Sequence, residues 1–268
     1  MRGFRVLRVV GVLLLALVPA SLAALAVAPA AWLDRLLAVG TRGQLRLAEA
    51  TGTIWKGDGR LVFVGAATVT GAPDPSSVQA AVLRGVALPG RLRWQLAPLP
   101  LVVGVIEARI MIEGMQQPVR LQGRLLDMRL SNGQFALART DLGALGSPWS
   151  TVRPAGAVRL SWEGVTVQAG RFEGRVQVEL RDLSSALSAV RPLGSYRILI
   201  DGRADQTSIE LNTISGALEL SGRGGLERGR LRFAAQAAPA DPQDSRLTGL
   251  LGLLGPREGA HTVIKIGG

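Results

Sequence analysis

The chain has 268 residues, 31 Lys+Arg against 20 Asp+Glu, no cysteine and one histidine. Without Cys there is no disulfide, thiolate nucleophile, iron–sulfur cluster or thiolate-bound zinc, and one His excludes a multi-histidine metal site. The 34 glycines and 14 prolines exclude a helical bundle and describe a turn-rich β protein with one unusually apolar segment.

That segment comes first. Arg2, Arg5 and Arg8 precede an uncharged run over residues 9–33, closed by Asp34 and Arg35. About 20 apolar residues span a bilayer as a helix, and this run exceeds that length. Arginines on the leading side predict a cytoplasmic N-terminus and an exported body. Pro19 inside the run is tolerable in a membrane helix. The competing reading is a cleaved signal peptide, because Ala26-Val27-Ala28 and Ala28-Pro29-Ala30 resemble small-residue cleavage sites. The length of the run favours the anchor, and both readings export the rest. Residues 32–38 then read as the helix end emerging into the headgroup zone, with Trp32 suited to that interface.

Beyond Gly40 short alternating runs are punctuated by glycine. One phrase recurs, as Gly59-Arg60-Leu61-Val62-Phe63, Gly90-Arg91-Leu92-Arg93-Trp94, Gly123-Arg124-Leu125-Leu126, Gly174-Arg175-Val176-Gln177-Val178 and Gly229-Arg230-Leu231-Arg232-Phe233. Each reads as a glycine turn followed by a strand of period two. Leu61/Phe63, Leu92/Trp94, Val176/Val178 and Leu231/Phe233 then share one face, with Arg93, Gln177 and Arg232 on the other. The copies are unevenly spaced, so this is hairpin grammar and not a solenoid repeat. Further strands are expected at 105–112, 158–162, 165–168, 196–201, 208–211, 217–221 and 262–266.

Two stretches break the β pattern. Residues 182–190 read as a short helix capped by Asp182 and stopped at Arg191-Pro192. Residues 245–254 place Leu247, Leu250, Leu251 and Leu254 at helical spacing before Gly255, which reads as a helix plugging one end of a β core. Loops are expected at 71–77, 147–154 and 237–243.

The chemistry is sparse. The net charge of +11 is spread one or two arginines per strand, mixed with acids and with few aromatics, which is not the footprint of a nucleic-acid binder. Glu107, Glu113, Asp127, Glu163, Glu173 and Glu179 lie in strand context without a spacing that singles out a catalytic pair. His261 has no nucleophile motif such as G-x-S-x-G beside it. Ser221-Gly222-Arg223-Gly224-Gly225 follows a strand but leads into another strand, so it fits a hairpin and not a phosphate loop. No enzyme and no cofactor are expected.

Four segments carry a family resemblance. They are Ala50-Thr51-Gly52-Thr53-Ile54-Trp55-Lys56-Gly57, Leu88-Pro89-Gly90-Arg91-Leu92-Arg93-Trp94-Gln95-Leu96-Ala97-Pro98-Leu99, Val190-Arg191-Pro192-Leu193-Gly194-Ser195-Tyr196-Arg197, and Ile214-Ser215-Gly216-Ala217-Leu218-Glu219-Leu220-Ser221-Gly222 with the downstream Gly229-to-Phe233 phrase. In this order the chain resembles protein N of the bacterial type II secretion system, departing from it at Leu180 and Leu226, near positions where the family carries aromatics. The resemblance implies a bitopic inner-membrane protein with a periplasmic domain, other secretion subunits as partners, and no catalytic residues.

The resulting expectation is a mainly β chain: an N-terminal transmembrane helix followed by a mostly antiparallel twisted sheet or partly open barrel with one or two short helices. Residues 1–8 are cytoplasmic, 9–33 the anchor in inner-membrane lipid, 34–44 a linker and 45–268 the periplasmic β domain. Trp55, Trp94, Leu193, Tyr196, Leu231 and Phe233 are the candidate interface or groove positions, although Trp55, Trp94 and Trp162 also suit a β core. The rival is a lipid-handling protein similar to AsmA-like bridge proteins, with an apolar β groove. The two differ in whether Leu61, Phe63, Leu92, Trp94, Leu231 and Phe233 are sealed under the 245–254 helix.

Overall fold

The computed structural model describes residues 25–41, 43–64, 86–87, 90–142, 153–169, 171–203, 206–227 and 230–267. A helix α1 (Ala31–Gly40) leads into β1 (Leu45–Gly52), β2 (Lys56–Phe63), β3 (Val86–Ala87) and β4 (Leu92–Leu96). A single helical turn α2 (Pro98–Leu101) precedes β5 (Ile106–Ile112), β6 (Val119–Arg124), β7 (Asp127–Leu130) and β8 (Gly133–Asp141). The long hairpins follow: β9 (Pro154–Gln168), β10 (Arg171–Ser185), β11 (Gly194–Arg203), β12 (Gln206–Gly216), β13 (Leu218–Glu227) and β14 (Arg230–Pro239). A 3₁₀ turn (Ser245–Leu247) runs into α3 (Thr248–Leu254), and β15 (Arg257–Glu258) and β16 (His261–Ile266) close the chain.

All these strands form one 16-stranded sheet in the order β1-β2-β4-β5-β6-β7-β9-β10-β11-β12-β13-β14-β16-β15, with β3 on β2 and β8 on β9. Every pairing is antiparallel. The first and last strands of this path do not pair, so among the described residues the sheet is open and not a hydrogen-bonded barrel. Alternating connections give it two rims. The lower rim holds the turns after β1, β4, β6 and β9, and the upper rim holds residues 113–118 and 186–193 and the α3 region.

Hydrophobic packing is distributed along the sheet. Ala30, Leu47 and Trp94 form one cluster with Leu33 and Leu37 of α1. Met115, Val119, Phe135 and Trp162 form a second, and Leu180, Leu183 and Tyr196 a third. Val190, Leu193, Leu218, Ala237, Leu247 and Leu250 form the fourth, under α3.

Several expectations need correction. Residues 182–190 are not a helix: β10 runs to Ser185, and its register shifts between Leu180 and Leu183. Asp182 sits at φ 50°, and this bulge inserts one residue, so Leu180 and Leu183 both stay inside. An inserted residue turns period two into an i, i+3 spacing that imitates a helix. Likewise 158–162 and 165–168 are one strand, because Gly164 at φ 59° and Gly174 at φ 127° take up a bulge without ending the pairing. The recurring glycine marks a turn at Gly90 (φ 96°), whereas Gly59, Gly123 and Gly174 lie inside strands; Gly229 lies outside the described residues.

The expected anchor 9–33 falls mostly outside the described residues, but its last part is not one helix with the rest. Val27 is in a turn, Pro29 bridges Thr53, and a separate helix starts at Ala31. The reason is local: Ala28 and Ala30 are 1% exposed, packed into the domain, and their backbone groups bond to Ile54 and Gly52. Residues 34–40, expected as part of a linker, belong to α1. Among the described residues no helix is long and apolar enough to cross a membrane. The expected loop at 71–77 and residues 147–152 of the one expected at 147–154 lie outside the described residues; Pro154 already begins β9, and the loop expected at 237–243 starts only after Pro239. The 245–254 helix is present as the 3₁₀ turn plus α3.

Candidate functional site

The functional geometry lies in a face and not in a cleft. Register carries one set of side chains across the sheet. Leu47 faces Leu61, Trp94 faces Ile110, and Ile110 faces Val119. Leu121 faces Leu130, which faces Val165. Trp162 faces Val176, Val176 faces Ile200, and Ile200 faces Ile209. The other face holds Arg93, Gln177 and Arg232 as expected, with Arg109 opposite Arg120 and Arg223 opposite Glu210. Among the described strands, the arginines at 93, 109, 120, 223 and 232 therefore stand on the side opposite an almost wholly apolar face.

The two helices cover only the ends of that face. At one end α1 lies over Leu47 and Trp94. Asp34 holds it there, accepting 2.9 Å and 2.6 Å bonds from the Arg46 guanidinium and a 2.8 Å bond from the Leu47 N–H. At the other end α3 covers Leu218, Ala237 and Ile264. Between them Val176, Val178, Ile198, Ile200, Ile209 and Leu211 are half-buried, and Leu226 and Leu231 are 42% and 39% exposed.

The six sequence-chosen positions do not form one site. Trp55 is half-buried in the β1–β2 turn, its Nε1 donating to the Leu25 carbonyl at 2.8 Å. Trp94 is buried, and its Nε1 donates to the Thr53 carbonyl at 3.1 Å. Leu193 is sealed in the cluster under α3. Tyr196 is 0% exposed, its hydroxyl donating to the Leu218 carbonyl at 2.9 Å; burial pushes its phenol well above the ordinary range. Leu231 and Phe233 stand at the uncovered lower part of β14. Phe233 lies across from Gly224, where a Cβ would come within 2.8 Å of its ring, so the missing side chain leaves that ring room. Trp162, also expected inside, is buried with Nε1 on the Ser131 carbonyl at 2.8 Å.

On the polar face Glu179 is buried between two arginines, at 2.9 Å from Arg181 and 3.4 Å from Arg197. The Arg181 bond, with Arg197 adding to it, holds its carboxyl below the usual range. This is a structural ion cluster. His261 lines a cleft of about 560 Å³ beside α3 with Glu219, Asp244 and Arg257. Asp244 there is bound to Arg246 at 2.8 Å, which holds its carboxyl down, and no nucleophile–base pair is assembled. Among the described residues no group of three or more His, Cys, Asp or Glu could hold a metal ion.

A one-layer apolar sheet on a basic back, fitted with end helices, is the scaffold on which the four motif segments sit. The model of the type II secretion system (T2SS) protein N family matches residues 43–266, from just before β1 to the end of β16. The chain belongs to that family. No curated protein and no solved structure matches it. As a protein N member it is a type II secretion component, and the matched region takes in the whole sheet.

Sequence reading missed a group on the lower rim: Leu99, Val102, Val103, Leu125 and Leu126, exposed by 69–84%. One signal was available. Leu125-Leu126 is a two-residue hairpin turn between β6 and β7, where Asn, Asp or Gly is the usual choice.

Proposed function

We propose that this chain is a non-catalytic, inner-membrane-anchored component of the type II secretion machinery, with its β domain in the periplasm contacting other secretion subunits. The family match over residues 43–266 carries the reading. The arginines before the uncharged run support the orientation. Free strand edges support the mode of contact, because strand addition needs backbone groups more than particular side chains. Among the described residues the open edge is on β16, where β15 pairs only His261 and Thr262 and no strand lies outside Lys265, whereas on β1 the Leu45 and Leu47 N–H groups are taken by Thr41 Oγ1 and Asp34. The test is in-cell photo-crosslinking with a probe at Lys265, and with Arg46 and Ala48 on the capped β1 edge as references. Adducts to other secretion subunits are expected. Acyl-chain adducts from inward positions such as Leu231, with no subunit captured from the edges, would overturn it.

A second reading, lipid handling on the apolar face, is favoured by one observation: α1 seals Leu92 and Trp94, but neither helix covers Leu226 or Leu231, and the middle strands are only half-buried. A sheet apolar on one side is normally covered by a second layer. Acyl chains would supply that layer, and the same crosslinking experiment separates the two readings.

A further inference from the structure

The lower rim is built unlike the rest of the surface. Of the seven most exposed large apolar side chains among the described residues, Val27, Leu99, Val102, Val103, Leu125 and Leu126 lie on it, and Val39 at the far end of α1 does not. The neighbours follow from register. β1 ends where β2 begins, Lys56 pairs Gln95 at the end of β4, Leu96 pairs Ala108, Ile106 pairs Gly123, and Arg124 pairs Asp127. Five strand spacings carry this series from β1 to β7, about 24 Å in all.

We propose that this rim rests on an anionic phospholipid bilayer, with Leu99, Val102, Leu125 and Leu126 entering the acyl-chain boundary. The inference rests on reading the apolar run before residue 25 as a membrane segment. Three further observations support it. First, the rim is where that run joins the domain: Trp55 Nε1 holds the Leu25 carbonyl at 2.8 Å, and the Ile54 N–H holds the Ala28 carbonyl at 2.9 Å. A run embedded in lipid would bring this rim, and not the upper one, against the surface.

Second, the exposed turns carry their own hydrogen bonds. Val102, Val103, Gly104 and Val105 N–H groups bond back to Leu99, Pro100, Leu101 and Pro100 carbonyls at 2.9–3.2 Å. The Leu126 carbonyl accepts from Ala169 N–H of the next hairpin at 2.7 Å. Backbone that leaves water needs such internal partners, and ordinary solvent loops do not. Third, the charge is suitable. Lys56, Arg124 and Arg171 border the apolar tips, Asp127 is the acid among them, and Glu107 above them is engaged by Gln122. Apolar tips flanked by cations are the pattern that lies in an anionic interface.

The chain has no cysteine, so single-cysteine labelling of the full chain is unambiguous. Leu99→Cys, Val102→Cys and Leu125→Cys, with Gln117→Cys and Gln243→Cys on the upper rim as references, would carry an environment-sensitive dye. The chain is reconstituted in vesicles of phosphatidylethanolamine and phosphatidylglycerol. Lower-rim labels are expected to be blue-shifted and quenched several-fold more by acyl-chain nitroxides than the references, which iodide quenches instead. Lower-rim labels as open to iodide as the references would overturn the proposal. Alkaline carbonate extraction of the same vesicles reports the anchor separately. Extraction of the chain, with rim labels lipid-quenched beforehand, removes the anchor reading and leaves the rim contact. Retention with water-exposed labels does the reverse.

Discussion

Tyr196 offers the sharpest check on the packing argument, because it is the chain's one tyrosine. Its ring is fully buried, and its hydroxyl donates to the carbonyl of Leu218, which is itself 3% exposed. The Ala240 N–H bonds the Ala217 carbonyl, so Leu218 and Pro239 are a non-hydrogen-bonded pair and the Leu218 backbone points away from β14; its N–H donates to the Leu193 carbonyl and its own carbonyl takes the Tyr196 hydroxyl. Tyr196→Phe keeps the ring and strands that carbonyl. The expected cost is about 1–3 kcal/mol, the penalty for a buried acceptor left without its partner. A second consequence follows from burial, which raises the phenol pKa in the folded state. A raised pKa stabilises the fold fully below the unfolded value near 10, and that contribution is lost as pH rises above it. If the folded phenol stays protonated, wild type should lose about 1 kcal/mol more than Tyr196→Phe between pH 10 and pH 11. Urea midpoints in detergent at both pH values test this, and tyrosinate absorbance reports Tyr196 alone. Half-ionisation near pH 10 in the folded protein, with parallel alkaline profiles for both chains, would refute the reasoning.

Other consequences can be measured on the same preparation. Glu179 has a lowered carboxyl pKa, so its contribution is present above the ordinary carboxylate value and lost as pH falls below it; Glu179→Gln should flatten the acid limb of the urea-midpoint profile, and unchanged acid sensitivity would count against the cluster. Asp34→Ala removes three bonds that hold α1 on β1 and should cost about 2–3 kcal/mol, seen as faster hydrogen exchange at Leu47 and near Trp94. Gly133→Ala places a methyl against the Trp162 ring and should cost about 1–3 kcal/mol, with a changed near-ultraviolet tryptophan signal; wild-type stability would mean the ring has room to move.

Much of the β architecture was legible in residues alone, because alternation is a local property. Leu92 and Trp94 against Arg93, and Val176 and Val178 against Gln177, fall on opposite faces as their period requires. The stripe Leu247, Leu250, Leu251 and Leu254 made its helix for the same kind of reason, as did the closing strand after His261. The family resemblance rested on segments that all lie in or beside strands.

What only tertiary structure decided is where the period is interrupted and which distant pieces meet. The bulges at Asp182 and Gly164 exist because a partner strand tolerates an extra residue opposite it, and local spacing cannot distinguish that from a helical turn or a strand end. The helical run stops short of Pro29 because Gly52 and Ile54, over twenty residues away, take its backbone bonds. Trp94 and Leu193 are apolar in sequence like Leu231, yet α1 covers the first and α3 the second while Leu231 stays exposed. The gathering of Leu99 with Leu125 and Leu126 on one rim depends on the register of β4, β5 and β6. Residue type sets which side of a strand faces water, but register and covering elements decide what that side meets.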